Sequence, residues 1–168
     1  MSDLIIRKAQ PEDAKELIDF YNIVGGESDY LIHGANEFQV PVERVAAYIK
    51  ATINSTNCLM LVGTIEGTII ARAMIEGYQA KRIRHRGKLA ITVKKDHWNQ
   101  GIGSMMLERL LELAPSLQLQ VIELEVLAEN ERAIALYQKL GFEIFGHYKN
   151  YFYVNGEYKD ALYMYLNL

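Results

Sequence analysis

Apolar positions recur at strand and helix spacing along most of the chain, and the change from one period to the other sets the expected order of elements. Residues 4–7 form a short apolar run that reads as a first strand. Pro11, followed by Glu12 and Asp13, opens a helix, because proline suits the first turn and carboxylates favour the positive end of the helix dipole. Leu17, Ile18 and Tyr21 give this helix its inner face, and Gly25-Gly26 is expected to end it. Residues 28–40 show no period and read as a loop. Pro41 then opens a second helix, with Val42, Val45, Ala46, Ile49 and Ile53 on one side.

Residues 59–65 and 68–75 are rich in strand formers, and Glu66-Gly67 between them reads as a two-residue hairpin turn. Residues 89–93 form another strand. Ile102, Met106, Leu110 and Leu113 mark a helix, 121–126 a strand, and 133–140 a short helix closed by Gly141. Residues 142–145 and 158–166 complete the strands, with the hairpin dipeptide Asn155-Gly156 between them. Antiparallel strands followed by two strand–helix units predict an α+β fold around one mixed sheet.

The length of 168 residues fits one domain, 1–168. The net charge of −3 argues against nucleic acid as the main partner, since neutralising phosphates needs a basic face. Lys81, Arg82, Arg84, Arg86 and Lys88 do cluster; they read as a solvated turn or as a contact for an anion. No apolar run follows a basic start and no stretch of about 18 apolar residues occurs, so neither a signal peptide nor a membrane span is expected. The single cysteine, Cys58, cannot form an internal disulfide and points to a reducing, cytoplasmic setting. The histidines, His33, His85, His97 and His147, have no ligand spacing, and no metal site is expected.

Chemistry concentrates in two stretches. In the first, strand 89–93 feeds a loop, then Gly101-Ile102-Gly103-Ser104 and a helix. A helix N-terminus offers unpaired N–H groups and a partial positive charge to a phosphate, and glycines admit close backbone approach. The turn could equally be a plain helix start. A dinucleotide fingerprint would need Gly or Ala where Met106 stands, and a Walker loop would need Ser or Thr where Leu89 follows Gly87-Lys88.

In the second stretch, Asn130, Ala133, Leu136, Tyr137, Gly141 and Phe142 give the pattern Asn-x-x-Ala-x-x-Leu-Tyr-x-x-x-Gly-Phe. Together with the glycine turn, this resembles the GNAT superfamily of N-acetyltransferases over residues 89–142. The resemblance extends more loosely to the first strand and helix and to the last strand.

It implies a mostly antiparallel mixed sheet flanked by helices, with strand 89–93 splayed from strand 121–126 to hold acetyl-CoA. By the same resemblance, backbone at Ile91, Thr92 and Val93 receives the pantetheine arm. Backbone at Asn99, Gln100, Gly101, Ile102, Gly103 and Ser104 receives the pyrophosphate. Asn130 and Ala133 would also touch the cofactor, although Asn130 is equally a good helix cap. Tyr137 would protonate the leaving thiolate, its other reading being a core aromatic. The family often carries Arg or Gln where Trp98 stands.

The implied reaction is direct transfer of acetyl to a primary amine. The acceptor is a small-molecule amine, an amino acid or a peptide N-terminus. A non-catalytic acyl-CoA-binding sensor is the alternative, and a homodimer stays open. Only a neutral amine attacks a thioester, so a base is needed. Glu125 is the first candidate, on the same strand face as Glu123. An ordinary exposed glutamate is its other reading, and His85, Glu76 or an ordered water are alternative bases. Glu27 and Asp29 in the loop could attract a cation, and Tyr148, Tyr151 and Tyr153 could border the acceptor mouth.

Overall fold

Seven strands form one sheet in the order β1-β2-β3-β4-β5-β7-β6 in the computed structural model, which describes residues 3–168. β1 (Ile5–Lys8), β2 (Cys58–Ile65), β3 (Thr68–Gly77) and β4 (Arg86–Val93) run antiparallel in succession. β4 meets β5 (Val121–Leu127) in parallel, and β6 (Glu143–Val154) and β7 (Glu157–Asn167) return antiparallel. This is the expected α+β sheet.

Helices cover both faces. α1 (Ala14–Glu27) and α2 (Val42–Asn54) bury Leu17, Phe20, Val24, Val45 and Ile49 against Met60, Val62, Ile69 and Met74. α3 (Ile102–Leu113) and α4 (Glu131–Lys139) bury Ile102, Met106, Leu107, Leu110 and Tyr137 against Leu59, Leu61, Ala73, Ile75, Leu89, Ile122 and Leu124. Neighbouring strand residues point to opposite faces, so one strand serves both cores. Burial of these side chains contributes roughly 1.5–3 kcal/mol each and drives assembly of the three layers.

Three local expectations change. Gly25-Gly26 does not end α1, which continues through Glu27. A Cβ at Gly25 would collide with the carbonyl oxygens of His33 and Gly34, so glycine here admits the following loop against the helix. β4 starts at Arg86, earlier than expected, so Arg86 and Lys88 of the basic cluster are strand residues. β6 runs far beyond 142–145, reaching Val154. The turns Glu66-Gly67 and Asn155-Gly156 are as expected, each with positive φ at both residues.

Asp13 fastens the start of α1. Its carboxylate takes both guanidinium nitrogens of Arg7 at 2.7 Å and the Gln10 N–H at 2.7 Å. The Arg7 hydrogen bonds hold its pKa below the usual carboxylate value, against burial. Its contribution to stability is therefore complete above the unfolded pKa of about 3.9 and is lost as pH falls through the folded value. Asp13→Ala should cost about 2 kcal/mol by urea unfolding at neutral pH, with the gap to wild type closing in acid.

Candidate active site

β4 and β5 pair only where Arg86, Gly87 and Lys88 face Val121, Ile122 and Glu123. Beyond that point the two strands part. β4 stays bonded to β3 as far as Val93, and β5 to β7 as far as Leu127. Each strand thus turns one unpaired edge of N–H and C=O groups to the other, and such groups need a partner. The opening is a cleft of about 520 Å³, lined by Ile91, Thr92 and Val93 on one side and by Glu125, Val126 and Leu127 on the other.

The glycine turn closes one end. Asn99 and Gly101 adopt left-handed φ of 61° and 77°, and α3 starts at the next residue. Its first intrahelical bond runs from Met105 N to Gly101 O at 3.0 Å, leaving the amides of Ile102, Gly103 and Ser104 without intrahelical acceptors. A Cβ at Gly103 would meet only Leu136, at 3.4 Å. Asn99, Gly101, Ile102, Gly103 and Ser104 line the cleft; Gln100 does not, and its side chain bonds the Asp96 carbonyl at 3.0 Å. The Trp98 indole N–H donates to Val93 O at 2.7 Å. The Arg132 guanidinium lies 4.2 Å from the centre of that ring and donates to Asn99 Oδ1 at 3.1 Å. A cation therefore stands at the turn despite the missing Arg or Gln at position 98.

Asn130 caps α4, its Oδ1 accepting from Ala133 N at 3.3 Å. It also lines the cleft with Ala133, so capping does not exclude a ligand contact. Tyr137 is 7% exposed and packs on Phe142. The residue borders the cleft. Burial pushes this phenol well above its ordinary pKa, so it carries its proton at neutral pH.

Leu89, Ile91 and Val93 face the α3–α4 core, as do Ile122, Leu124 and Val126. By alternation Lys88, Thr92 and Glu125 face the α1–α2 side. Tyr137 and Glu125 therefore approach the cleft from opposite faces of the sheet. Glu125 Oε1 accepts from Lys88 Nζ at 2.7 Å. Tyr151 stands nearby, its pKa raised by burial and then by the Glu125 charge. Glu123 is occupied elsewhere: it accepts from Tyr78 Oη at 2.6 Å and from Arg86. That bond, helped by burial, pushes the Tyr78 phenol up to about 12. His85 and Glu76 are exposed and lie outside the cleft lining.

Several cleft residues had no motif to mark them. Arg72, Tyr21, Phe152 and the segment with Tyr30, Leu31 and His33 all line the cavity. Glu27 reaches it but gives its carboxylate to Lys95 N at 2.8 Å, and Asp29 turns instead to Asn155 at 3.1 Å. Tyr151 borders the cleft; Tyr148 and Tyr153 do not. For Arg72 a signal existed, a lone charge inside the apolar run Ile69-Ile70-Ala71-Arg72-Ala73-Met74.

Residues 27–142 match the sequence profile of the acetyltransferase (GNAT) family. The chain belongs to this family. It is 30% identical to an L-amino acid N-acetyltransferase of Escherichia coli K12, over 98% of both chains. The crystal structure of a GNAT acetyltransferase from Streptococcus pneumoniae superposes with a TM-score of 0.96 at 33% identity, covering 99% of this chain and 100% of that one. A ribosomal-protein-alanine N-acetyltransferase from Brucella melitensis superposes with a TM-score of 0.84 at 25% identity, over 98% and 99% of the two chains. This GNAT chain is thus an N-acetyltransferase, an acyltransferase enzyme. Among its described residues no helix is long and apolar enough to cross a membrane.

Proposed function

We propose that the enzyme transfers acetyl from acetyl-CoA directly to a primary amine, carried by a small amine, an amino acid or a peptide N-terminus. The observation that carries this reading is the arrangement of Tyr137 and Glu125 on opposite faces of the β4–β5 gap. An unpaired strand edge and a glycine turn free of side chains fit an elongated ligand that ends in phosphates. When bound, acetyl-CoA supplies an activated acyl thioester. The edge at Ile91, Thr92 and Val93 would hold its pantetheine arm. The amides of Ile102, Gly103 and Ser104 would hold its pyrophosphate. Glu125 accepts the acceptor's ammonium proton, directly or through water, so that the neutral amine can attack. Tyr137, held protonated by its burial, gives its proton to the departing sulfur.

An amine panel assayed by free thiol release from acetyl-CoA tests the reaction. Turnover with one class of primary amine is expected. Tight acetyl-CoA binding with no turnover on any amine would leave only a binding role.

The cradle has its own test. Gly103→Val has room on the protein side, where Leu136 alone is near, but its branches enter the cleft. The variant should fold with a stability change of about 1 kcal/mol, near the centre of the usual range for point mutants. Its acetyl-CoA affinity by calorimetry should fall at least tenfold. Unchanged affinity would move the phosphates elsewhere.

A further inference from the structure

Arg72 stands in the middle of β3, where Ile70, Ala71, Ala73 and Met74 are buried. A guanidinium has five donors and no acceptor, and burying it without partners is unfavourable. Its Nη2 meets only the Met74 thioether at 2.7 Å, a weak acceptor, and its Nε is buried with no partner among the described residues. No carboxylate among them forms an ion pair with it. The group lies 5.6 Å from the centre of the Tyr21 ring, which helps to fix its direction. Arg72 pairs across the sheet with Thr92 of β4, and both line the cleft. By strand alternation Arg72 is on the same side as Thr92 and Glu125. Of the other cations on this face, Lys88 also lines the cleft and is already neutralised by Glu125 at 2.7 Å, while Arg86 is paired with Glu123 and Lys94 lies over the Phe20 ring, both outside the lining. Within the cleft lining on this face, Arg72 is therefore the cation left without a carboxylate.

We propose that Arg72 holds the carboxylate of the acceptor, which makes the substrate a free α-amino acid; this rests on the N-acetyl transfer reading given above. The guanidinium fork matches a carboxylate through two parallel hydrogen bonds. In an α-amino acid one carbon separates carboxylate from amine. A carboxylate anchored over β3 thus keeps the amine close to the open edge of β4, the next strand. A polyamine would bring a second ammonium against Arg72. A peptide N-terminus has an amide, not a carboxylate, beside its amine and would leave the charge unmatched.

The test uses matched sets: an L-amino acid, its methyl ester and the amine lacking the carboxyl group. Thiol release is followed for wild type and Arg72→Gln, with rates referred to the neutral amine. Wild-type kcat/KM should favour the free acid over the ester by roughly 10- to 100-fold, the range for hydrogen bonds to a charged group. Arg72→Gln should erase that preference through KM, with acetyl-CoA affinity by calorimetry unchanged. Arg72→Lys, which keeps the charge but not the fork, should restore part of it. Equal wild-type rates on acid, ester and amine overturn the proposal and leave acetyl transfer standing. So does an Arg72→Gln variant that loses the same factor on all three. Absence of turnover on every amine overturns both readings.

Discussion

Glu125→Gln should lower turnover by about 10²-fold or more, the usual range for loss of a positioned general base. The amide occupies nearly the same volume, and its oxygen can still accept from Lys88, which now bonds Glu125 at 2.7 Å. Packing and acetyl-CoA affinity should therefore change little. The variant depends on amine already neutral in solution. Its rate should climb with pH toward the amine pKa, about 8 for an α-amine and about 10 for a lysine. Wild type should level off at lower pH. Steady-state kinetics across that range decide the matter. A loss below threefold would assign the proton to water, because His85 and Glu76 are both outside the cleft lining. Loss of acetyl-CoA binding would make the Glu125–Lys88 pair a structural tie between β5 and β4.

Tyr137→Phe is the second large effect, expected at about 10²-fold in kcat, toward the low end for general acids because a thiolate is a fair leaving group. The ring and its packing on Phe142 remain. Removing the hydroxyl leaves the buried ring in place, so the change should cost little stability. Calorimetry should find acetyl-CoA affinity nearly unchanged, separating a late proton transfer from a binding contact. Wild-type turnover with a good amine acceptor would return Tyr137 to a packing role.

Elements with a buried face were legible in the sequence because burial imposes a period. α2 shows it at Val45 and Ile49, whereas β2 and β3, buried on both faces, were legible as runs of strand formers on either side of Glu66-Gly67. The part of β6 beyond residue 145 escaped for the opposite reason. It is the edge of the sheet, most of its positions are exposed, and Phe145, Tyr148 and Tyr153 stand in water without alternation. The glycine pair in α1 misled because its cause is distant in sequence, the approach of residues 33 and 34. The same division holds in the cleft. The turn and α4 are local segments, and their spacing carried the signal. The acceptor side is assembled from α1, the loop after it, β3, β5 and β6, which meet only once the sheet has formed. Asn130 shows why competing readings need not exclude each other: one amide caps a helix and borders the cleft.

Trp98 is the only tryptophan in the chain, and it stands at the glycine turn, with its indole N–H on Val93 and Arg132 across its face. Ultraviolet emission excited at the red edge, beyond tyrosine absorption, therefore comes from a single place in the molecule. A ligand that draws Arg132 off the ring, or shields the indole from water, must change the intensity or wavelength of that emission. The protein carries a native optical reporter beside its phosphate cradle, and a fluorescence titration can follow loading without any label.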